Sequence, residues 1–469
     1  MPKDYVPGLL ARATELLERK FASLPPVDPI SDPAFEANSA AIARVLEQTA
    51  HRLADNYPYF HPLYAGQMLK PPHPVARAAY ALAMTLNPNN HARDGGRASS
   101  EMEIEAVRDL AAMFGWTELL GHLTSSGTLA NLEALWIAGQ LAPGRRIVGS
   151  EQAHYTHHRI SGVLQLPYSD VPSDSRGRMS LEALEEELRK GDVGTVVVTL
   201  GTTAIGAVDP LDQILALRAR YGFRVHVDAA YGGYFRLIPD SLDEPARRAY
   251  AALDQADSIV IDPHKHGLQP YGCGCILFRD PSVGRLYKHD SPYTYFTSSQ
   301  LHLGEISLEC SRAGAAAVAL WATQQLLPLV PGGEFASGLS RSRAAALELD
   351  RRLRQESGGR FEPLAAGAPE LDIVVWKLQA ETPDQASRRA RALFDACARR
   401  DLHLALVELP LAWFQPRKAA PVAASAPADS AARTVTCLRS VLMKPEHEEW
   451  LGHIWERLIA SMMEVGEGK

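Results

Sequence analysis

One lysine stands between two histidines at the end of an apolar strand, in Ser258-Ile259-Val260-Ile261-Asp262-Pro263-His264-Lys265-His266. There, desolvation and neighbouring cations can lower an amine's pKa and make Lys265 a nucleophile. An Asp-Pro-His turn with a surface lysine is the plainer reading of that stretch alone. The residues upstream change the balance. His226-Val227-Asp228-Ala229-Ala230 ends another apolar strand in a carboxylate. Such a carboxylate can keep a pyridine nitrogen protonated, so that the ring accepts electrons from a carbanion. Ala229 and Ala230 leave room for a flat ring, and His154 could lie on its opposite face. Thr124-Ser125-Ser126-Gly127-Thr128 sits between a strand and a helix. It gathers N–H groups and hydroxyls where an anion binds, although a simple N-cap would use the same residues. Gly201-Thr202-Thr203 offers further hydroxyls at a strand end. A lysine, a strand-end aspartate, a phosphate cradle and a histidine are the set that pyridoxal phosphate requires.

The elements that must position this set alternate along the chain. Short apolar strands are expected at Gly121–Leu123, Arg146–Gly149, Val163–Leu166, Thr195–Thr199, Phe223–Val227, Ser258–Ile261 and Gly274–Phe278. Helices intervene at Leu129–Gln140, Leu181–Lys190, Leu211–Tyr221 and Glu244–Asp254. The alternation predicts an α/β fold with a mostly parallel, seven-stranded sheet covered on both faces. Ligands of such sheets sit beyond the strand carboxyl ends, where the residues above fall.

Three units are expected. Residues 1–74 read as a helical arm, with amphipathic helices at Tyr5–Leu24 and Phe35–Ala54 whose apolar faces need cover. Residues 75–330 form the large domain. Residues 331–469 form a smaller α+β domain, with helices at Glu334–Glu356, Ser387–Arg400 and Glu446–Met463 and strands at Leu371–Leu378, His403–Glu408 and Thr434–Met443. A stretch rich in Ala, Pro and Ser, residues 415–432, reads as a loop. The polar loop Asn87–Gly96, with Asn90 and His91, is a candidate lining of the substrate site.

Bulk properties exclude several classes. The formal net charge of −7 argues against nucleic acid or an anionic membrane as the main partner. No apolar run approaches the roughly eighteen residues of a membrane span, and the N-terminus lacks an apolar signal core. The five cysteines show no metal-ligand spacing, so no metal is expected, and they read as reduced thiols of a cytoplasmic protein.

The ordered motifs Thr124–Asn131, Gln152-Ala153-His154, Gly201-Thr202-Thr203, His226–Tyr231 and Asp262-Pro263-His264-Lys265 resemble the group II pyridoxal-phosphate-dependent amino acid decarboxylases. The resemblance is strongest from Leu123 to Phe278, and the stretch Cys437–Pro445 looks like that family's last strand. It implies fold type I, the aspartate-aminotransferase-like architecture, and a homodimer with the N-terminal arm crossing to its partner. It also implies roles. Lys265 forms the internal aldimine, Asp228 pairs with the pyridine nitrogen and His154 stacks on the ring. Ser126, Gly127 and Thr128 hold the phosphate with His264 close by, while Thr203 and Ala230 face the ring. The substrate is then a small L-amino acid that loses CO2 through a quinonoid. A tyrosine-like aromatic guest is favoured by Asn87-Pro88-Asn89-Asn90 and by Tyr57, Tyr59 and Phe60. The family's mobile loop maps to Tyr287–Ser299, with Tyr293 and Tyr295 as candidate proton donors. Two departures stand out: Ser126 and Leu129 occupy positions where the family often has Gly and Glu. Aminotransfer, with Arg439 as a carboxylate clamp, carbon–carbon lysis and oxidative deamination remain alternative outcomes of the same site. Arg93, Arg97 and Arg312 could instead serve an acidic substrate. A non-enzymatic binding role fits poorly with an intact Lys265, Asp228 and His154.

Overall fold

The structure is a computed structural model that describes residues 6–25, 39–288, 302–414 and 434–467. Seven strands form the large sheet: β1 (Leu120–Thr124), β2 (Arg146–Ser150), β3 (Tyr168–Val171), β4 (Val193–Thr199), β5 (Arg224–Asp228), β6 (Ser258–Ile261) and β7 (Gly274–Phe278). Their order is β1-β7-β6-β5-β4-β2-β3. Strands β2 to β6 pair in parallel, and β7 runs antiparallel to both neighbours, β6 and β1. All residues of β4, β6 and β7 are buried, which accounts for the continuous Val and Ile runs in place of a polar alternation.

One expected strand is misplaced. Residues 163–166 do not extend; the helix Thr156–Val163 ends there and β3 starts five residues after it, at Tyr168. Val163, Leu164 and Leu166 mimic a strand's apolar run. Gln165, at φ +56°, turns the chain out of the helix, and the Pro167 carbonyl already serves Ile147 N–H on β2. The helix itself was hidden by Thr156, His157 and His158, poor helix formers whose packing decides the outcome.

The C-terminal domain carries a four-stranded antiparallel sheet, in the order β10 (Ala405–Pro410), β11 (Thr434–Val441), β9 (Ile373–Leu378), β8 (Phe361–Pro363). Three helices, Glu334–Gln355, Pro383–Ala398 and His447–Glu467, cover it, and Trp376 is fully buried beneath them. The expected elements of this region thus form within a few residues of their predicted ends. Residues 415–432 lie outside the described segments.

Before the large sheet, residues 63–66 are built into the C-terminal domain. Tyr64 bridges to His403, Ala65 N–H bonds the His403 carbonyl, and the Ala65 carbonyl accepts from Val441 N–H. The helices Val6–Phe21 and Ser39–Leu53 leave Leu9, Leu16, Ile42, Val45 and Leu46 exposed.

Arg439, on β11, joins these parts. Its guanidinium donates to the carbonyls of Thr203 (2.7 Å), Ala204 (3.1 Å) and Gly66 (3.2 Å). Three of its five N–H donors thus bond backbone carbonyls, which supports a structural role rather than the expected carboxylate clamp. Replacing it with methionine would leave those carbonyls unpaired at about 1–3 kcal/mol each where burial is complete. Arg439→Met is expected to lower the urea midpoint clearly while KM for substrate stays within about twofold, since a lost ground-state clamp would raise KM instead. A large KM increase with unchanged stability would reject the structural assignment.

Candidate active site

A cavity of about 290 Å³ opens at the carboxyl ends of β4, β5 and β6. Ser126, Gly127, Thr128, His154, Thr203, Asp228, Ala230, His264 and Lys265 all line it, together with Asn131, Asp262 and Tyr271. The motifs singled out in the sequence are thus brought together by the sheet.

Asp228 ends β5 and is buried. Burial alone would raise its pKa. The hydrogen bond from His157 Nε2 to Oδ2, at 2.8 Å, together with the charges of His157 and Lys265, overrides burial and holds the carboxyl well below the usual carboxylate range. Oδ1 accepts from Ala230 N–H at 3.1 Å, which aims the group along the strand exit. Behind it, Asn131 Nδ2 donates to Oδ2 at 3.4 Å and to the Gly127 carbonyl at 3.0 Å, and Asn131 Oδ1 meets His226 Nε2 at 2.8 Å. His226 Nδ1 in turn meets Ser258 Oγ at 2.8 Å. Burial pushes the His226 pKa down to about 3, so this chain of bonds runs through a neutral ring.

Sequence reasoning gave no role to Asn131, His157 or His226, although a signal was present for the first and the last. Asn131 follows Gly127 by one helical turn and His226 shares a strand face with Asp228. Each lies at the period that places it behind a residue already singled out.

Lys265 Nζ stands 3.1 Å from Asp262 Oδ2, and its side chain is 22% exposed, so the amine reaches the cavity. His264 donates from Nδ1 to the Cys273 carbonyl at 2.8 Å and packs its ring on Tyr271, with centroids 4.7 Å apart. The His154 ring lies against Tyr155 at 4.5 Å, and its Nδ1 accepts from Thr156 N–H. Burial lowers the pKa of both His154 and His264.

The helix Gly127–Leu141 begins at the cavity. Ser126 Oγ caps it by accepting from Leu129 N–H, so the N-cap and the anion cradle are one structure. Gly127 is needed here: a Cβ would come within 2.5 Å of Asp262 Oδ2. Leu129, the departure from the family pattern, is half-buried. These groups fit pyridoxal phosphate. Free N–H groups and hydroxyls stand at a helix N-terminus, a buried carboxylate points into the cavity, and a lysine amine lies across from it. The Asp262 carboxylate stands against Gly127 at the edge of the cradle, with the Lys265 amine and the His264 ring beside it.

The expected substrate residues fare differently. Asn90 is buried outside the cavity, where Nδ2 donates to Glu103 Oε2 at 2.7 Å and to the Ser99 carbonyl. His91 follows it in the same loop, and its carbonyl accepts from Gly304 N–H at 2.9 Å. The loop's polar groups are consumed in folding it against the segment around Arg312. Tyr293 and Tyr295 lie outside the described residues, whereas Tyr287 is buried with its hydroxyl on Glu133 Oε2 at 2.9 Å. Arg312 is buried against Glu103, and Arg93 pairs with Glu101.

The profile of the pyridoxal-dependent decarboxylase conserved domain matches residues 42–330, more than half of the chain. The chain belongs to this family. The pyridoxal-dependent decarboxylase described here is 27% identical to an L-tyrosine decarboxylase of Enterococcus faecium, over 73% of each chain. It is 29% identical to a probable L-tyrosine/L-aspartate decarboxylase of Methanothermobacter thermautotrophicus, over 70% of this chain and 86% of that one. Its fold matches that of the Oryza sativa protein TDC, solved with PLP and tryptamine, at a TM-score of 0.76 and 18% identity over 99% of both chains. It is an amino acid decarboxylase, and its cofactor is pyridoxal phosphate.

Two outcomes follow from this geometry. In Gly127→Ala the added methyl meets Asp262, so coenzyme affinity should fall by about tenfold or more, read as loss of visible absorbance on dialysis. Unchanged retention would show that the cradle has slack. Asp228 has a depressed folded pKa, so its stabilising contribution is complete above the ordinary carboxylate pKa of about 3.9 and is lost as pH falls through the folded value. Asp228→Asn apoprotein should therefore unfold with a shallower dependence on pH below about 4 than the parent, measured by circular dichroism. Parallel curves would contradict the assignment.

Proposed function

We propose that this decarboxylase acts on an L-amino acid with an aromatic, tyrosine-like side chain, releasing CO2 and the amine. The observation that carries the substrate class is the cavity lining. No arginine is among the described residues that line it, and its basic side chains are Lys265 and the two histidines, both of which burial disfavours as cations. A second carboxylate on the substrate would find no guanidinium there, whereas Met68 and Tyr271 offer apolar and aromatic surface. The tyrosine decarboxylase named among the relatives supports the same reading.

When bound, pyridoxal phosphate supplies the electron sink for the carbanion left by the departing CO2. The roles proposed for the chain's residues follow from their positions. Lys265 holds the coenzyme and is displaced by the substrate amine. Asp228 stays ionised under His157 and pairs with the pyridine nitrogen. His154 covers the ring opposite Ala230, and Thr203 stands at its edge. Ser126, Gly127, Thr128 and His264 hold the phosphate. Lys265 Nζ, once freed, remains in the cavity beside Asp262 and can deliver a proton to the carbon that lost its carboxyl group. The protein is proposed to be cytoplasmic, in line with five free cysteines, four of them buried. Among the described residues no helix is long and apolar enough to cross a membrane. It is also proposed to be a homodimer, with the exposed apolar faces of the two N-terminal helices covered by a partner subunit. The segments 1–74, 75–330 and 331–469 are proposed as arm, large domain and small domain.

The test is a panel of L-amino acids assayed for CO2 with the purified holoenzyme. L-tyrosine or another aromatic amino acid should exceed L-aspartate and L-glutamate in kcat/KM by at least roughly a hundredfold, the scale at which an apolar pocket discriminates between side chains. Lys265→Ala should abolish turnover. A preference for L-aspartate would overturn the substrate class, and consumption of amino acid without CO2 would overturn decarboxylation as this chain's reaction.

A further inference from the structure

A second cavity, of about 390 Å³, lies at the junction of residues 60–74, the turn after Lys265 and the helix Glu334–Gln355. Its polar wall holds two lysines, Lys70 and Lys444, with 9% and 3% of their surface exposed. Lys70 donates to the Met443 carbonyl at 3.3 Å, and Lys444 donates to the Tyr64 carbonyl at 2.6 Å. An ammonium group has three N–H donors. Among the described residues neither lysine has a carboxylate within 4.0 Å. Glu334 and Glu446 are on the same wall, and Asp372 and Glu446 act on Lys70 only from beyond ion-pair range. Arg341, also on the wall, is already paired with Glu448 and Glu449. His73 spends Nδ1 on the Val75 N–H. His266 is fully buried in this wall and its Nδ1 has no hydrogen-bond partner.

Glu446 acts on Lys444 as well, and that ammonium lies 5.2 Å from the Tyr64 ring centroid, but buried ammonium groups that lack an ion-pair partner in contact still cost several kcal/mol each. Burial accordingly pushes Lys70 down to about 8, and burial with the neighbouring charge of Lys70 pushes Lys444 down to about 7. The rest of the wall is apolar, with Phe335, Leu339, Leu268 and prolines 71, 72 and 445. None of these groups takes part in the coenzyme chemistry described above.

We propose that this cavity is a second ligand site, for a small organic anion: a carboxylate on an apolar or aromatic body, held between Lys70 and Lys444. The anion supplies the missing counter-charge, and its body fills the apolar part of the space. Phosphate shares the charge but not the body, so it should bind more weakly.

The experiment is calorimetric titration of sodium benzoate, and separately inorganic phosphate, into holoenzyme at fixed ionic strength. The coenzyme is first fixed to Lys265 by borohydride reduction, which removes the exchangeable aldimine, and the rim variant below reports any benzoate held in the active site instead. One benzoate per chain is expected, with affinity lowered at least tenfold by Lys444→Met and at least tenfold poorer binding of phosphate. Because a buried substitution can harm folding, two further measurements decide the matter. Ser337→Trp, on an exposed position of the rim, should block benzoate while leaving decarboxylation and thermal stability unchanged. Crystals soaked in 4-iodobenzoate should show anomalous density between Lys70 and Lys444. Absence of benzoate binding to the reduced holoenzyme, equal binding in both variants, or iodine density elsewhere only would overturn the proposal. Phosphate binding as tightly as benzoate would overturn the apolar-body requirement.

Discussion

The structure turns on one charge that must stay ionised where water is scarce. Asp228 sits at the carboxyl end of β5, under the sheet's apolar cover, and burial by itself would neutralise it. His157 prevents this from one side and Ala230 N–H steers the group from the other. Asn131 ties that pair to the first turn of the helix Gly127–Leu141 through the Gly127 carbonyl, so a displacement of the phosphate cradle would be felt at the carboxylate. His226 and Ser258 extend the same bonds across β5 to β6, the strand that leads into Lys265. Cradle, carboxylate and lysine are therefore positioned by one continuous polar layer rather than by three separate loops, which is how rigid elements keep a site within tolerance.

A second polar layer lies behind the first. Tyr231 follows Asp228 closely and donates to Asp372 Oδ1 at 2.6 Å, while His266, next to Lys265, stands 3.3 Å from Asp372 Oδ2. Asp372 itself immediately precedes β9 of the C-terminal domain. Burial would raise its pKa, but the charge and hydrogen bonds of His266 and Tyr231 keep it lowered. With Arg439 reaching back to the carbonyls of Thr203 and Ala204, the two sheets are held at the cavity itself by charge-assisted bonds.

The sequence was legible where strong local pattern coincided with chemistry. Continuous Val and Ile runs ending in Asp228 or leading into Asp262 and Lys265 announced buried strands with reactive ends, and six of the seven expected strands form where the pattern placed them. The C-terminal elements were equally readable from their periodicity. What escaped was non-local or ambiguous. Residues 163–166 alternate like a strand, and only the positive φ at Gln165 shows otherwise. Asn90 and Arg439 were polar residues in plausible places, and nothing local distinguishes a side chain that meets substrate from one that meets distant carbonyls. His157 escaped for the same reason, since it lies 71 positions from Asp228 along the chain.

The pairing of residues 64–65 with His403 and Val441 bears on how the chain is made. This stretch leaves the ribosome early, yet its partners come more than three hundred residues later. Until then Tyr64, Ala65 and Lys70 have nowhere to go, and at roughly 5–20 residues per second the wait exceeds ten seconds. The large sheet can close during that interval, but its cavity rim cannot, because Gly66 and Arg439 are 373 positions apart in the chain. Nascent chains should thus remain protease-sensitive near residue 60 until β11 is out, and truncation before β11 should leave residues 64–66, not merely the C-terminal sheet, without their packing.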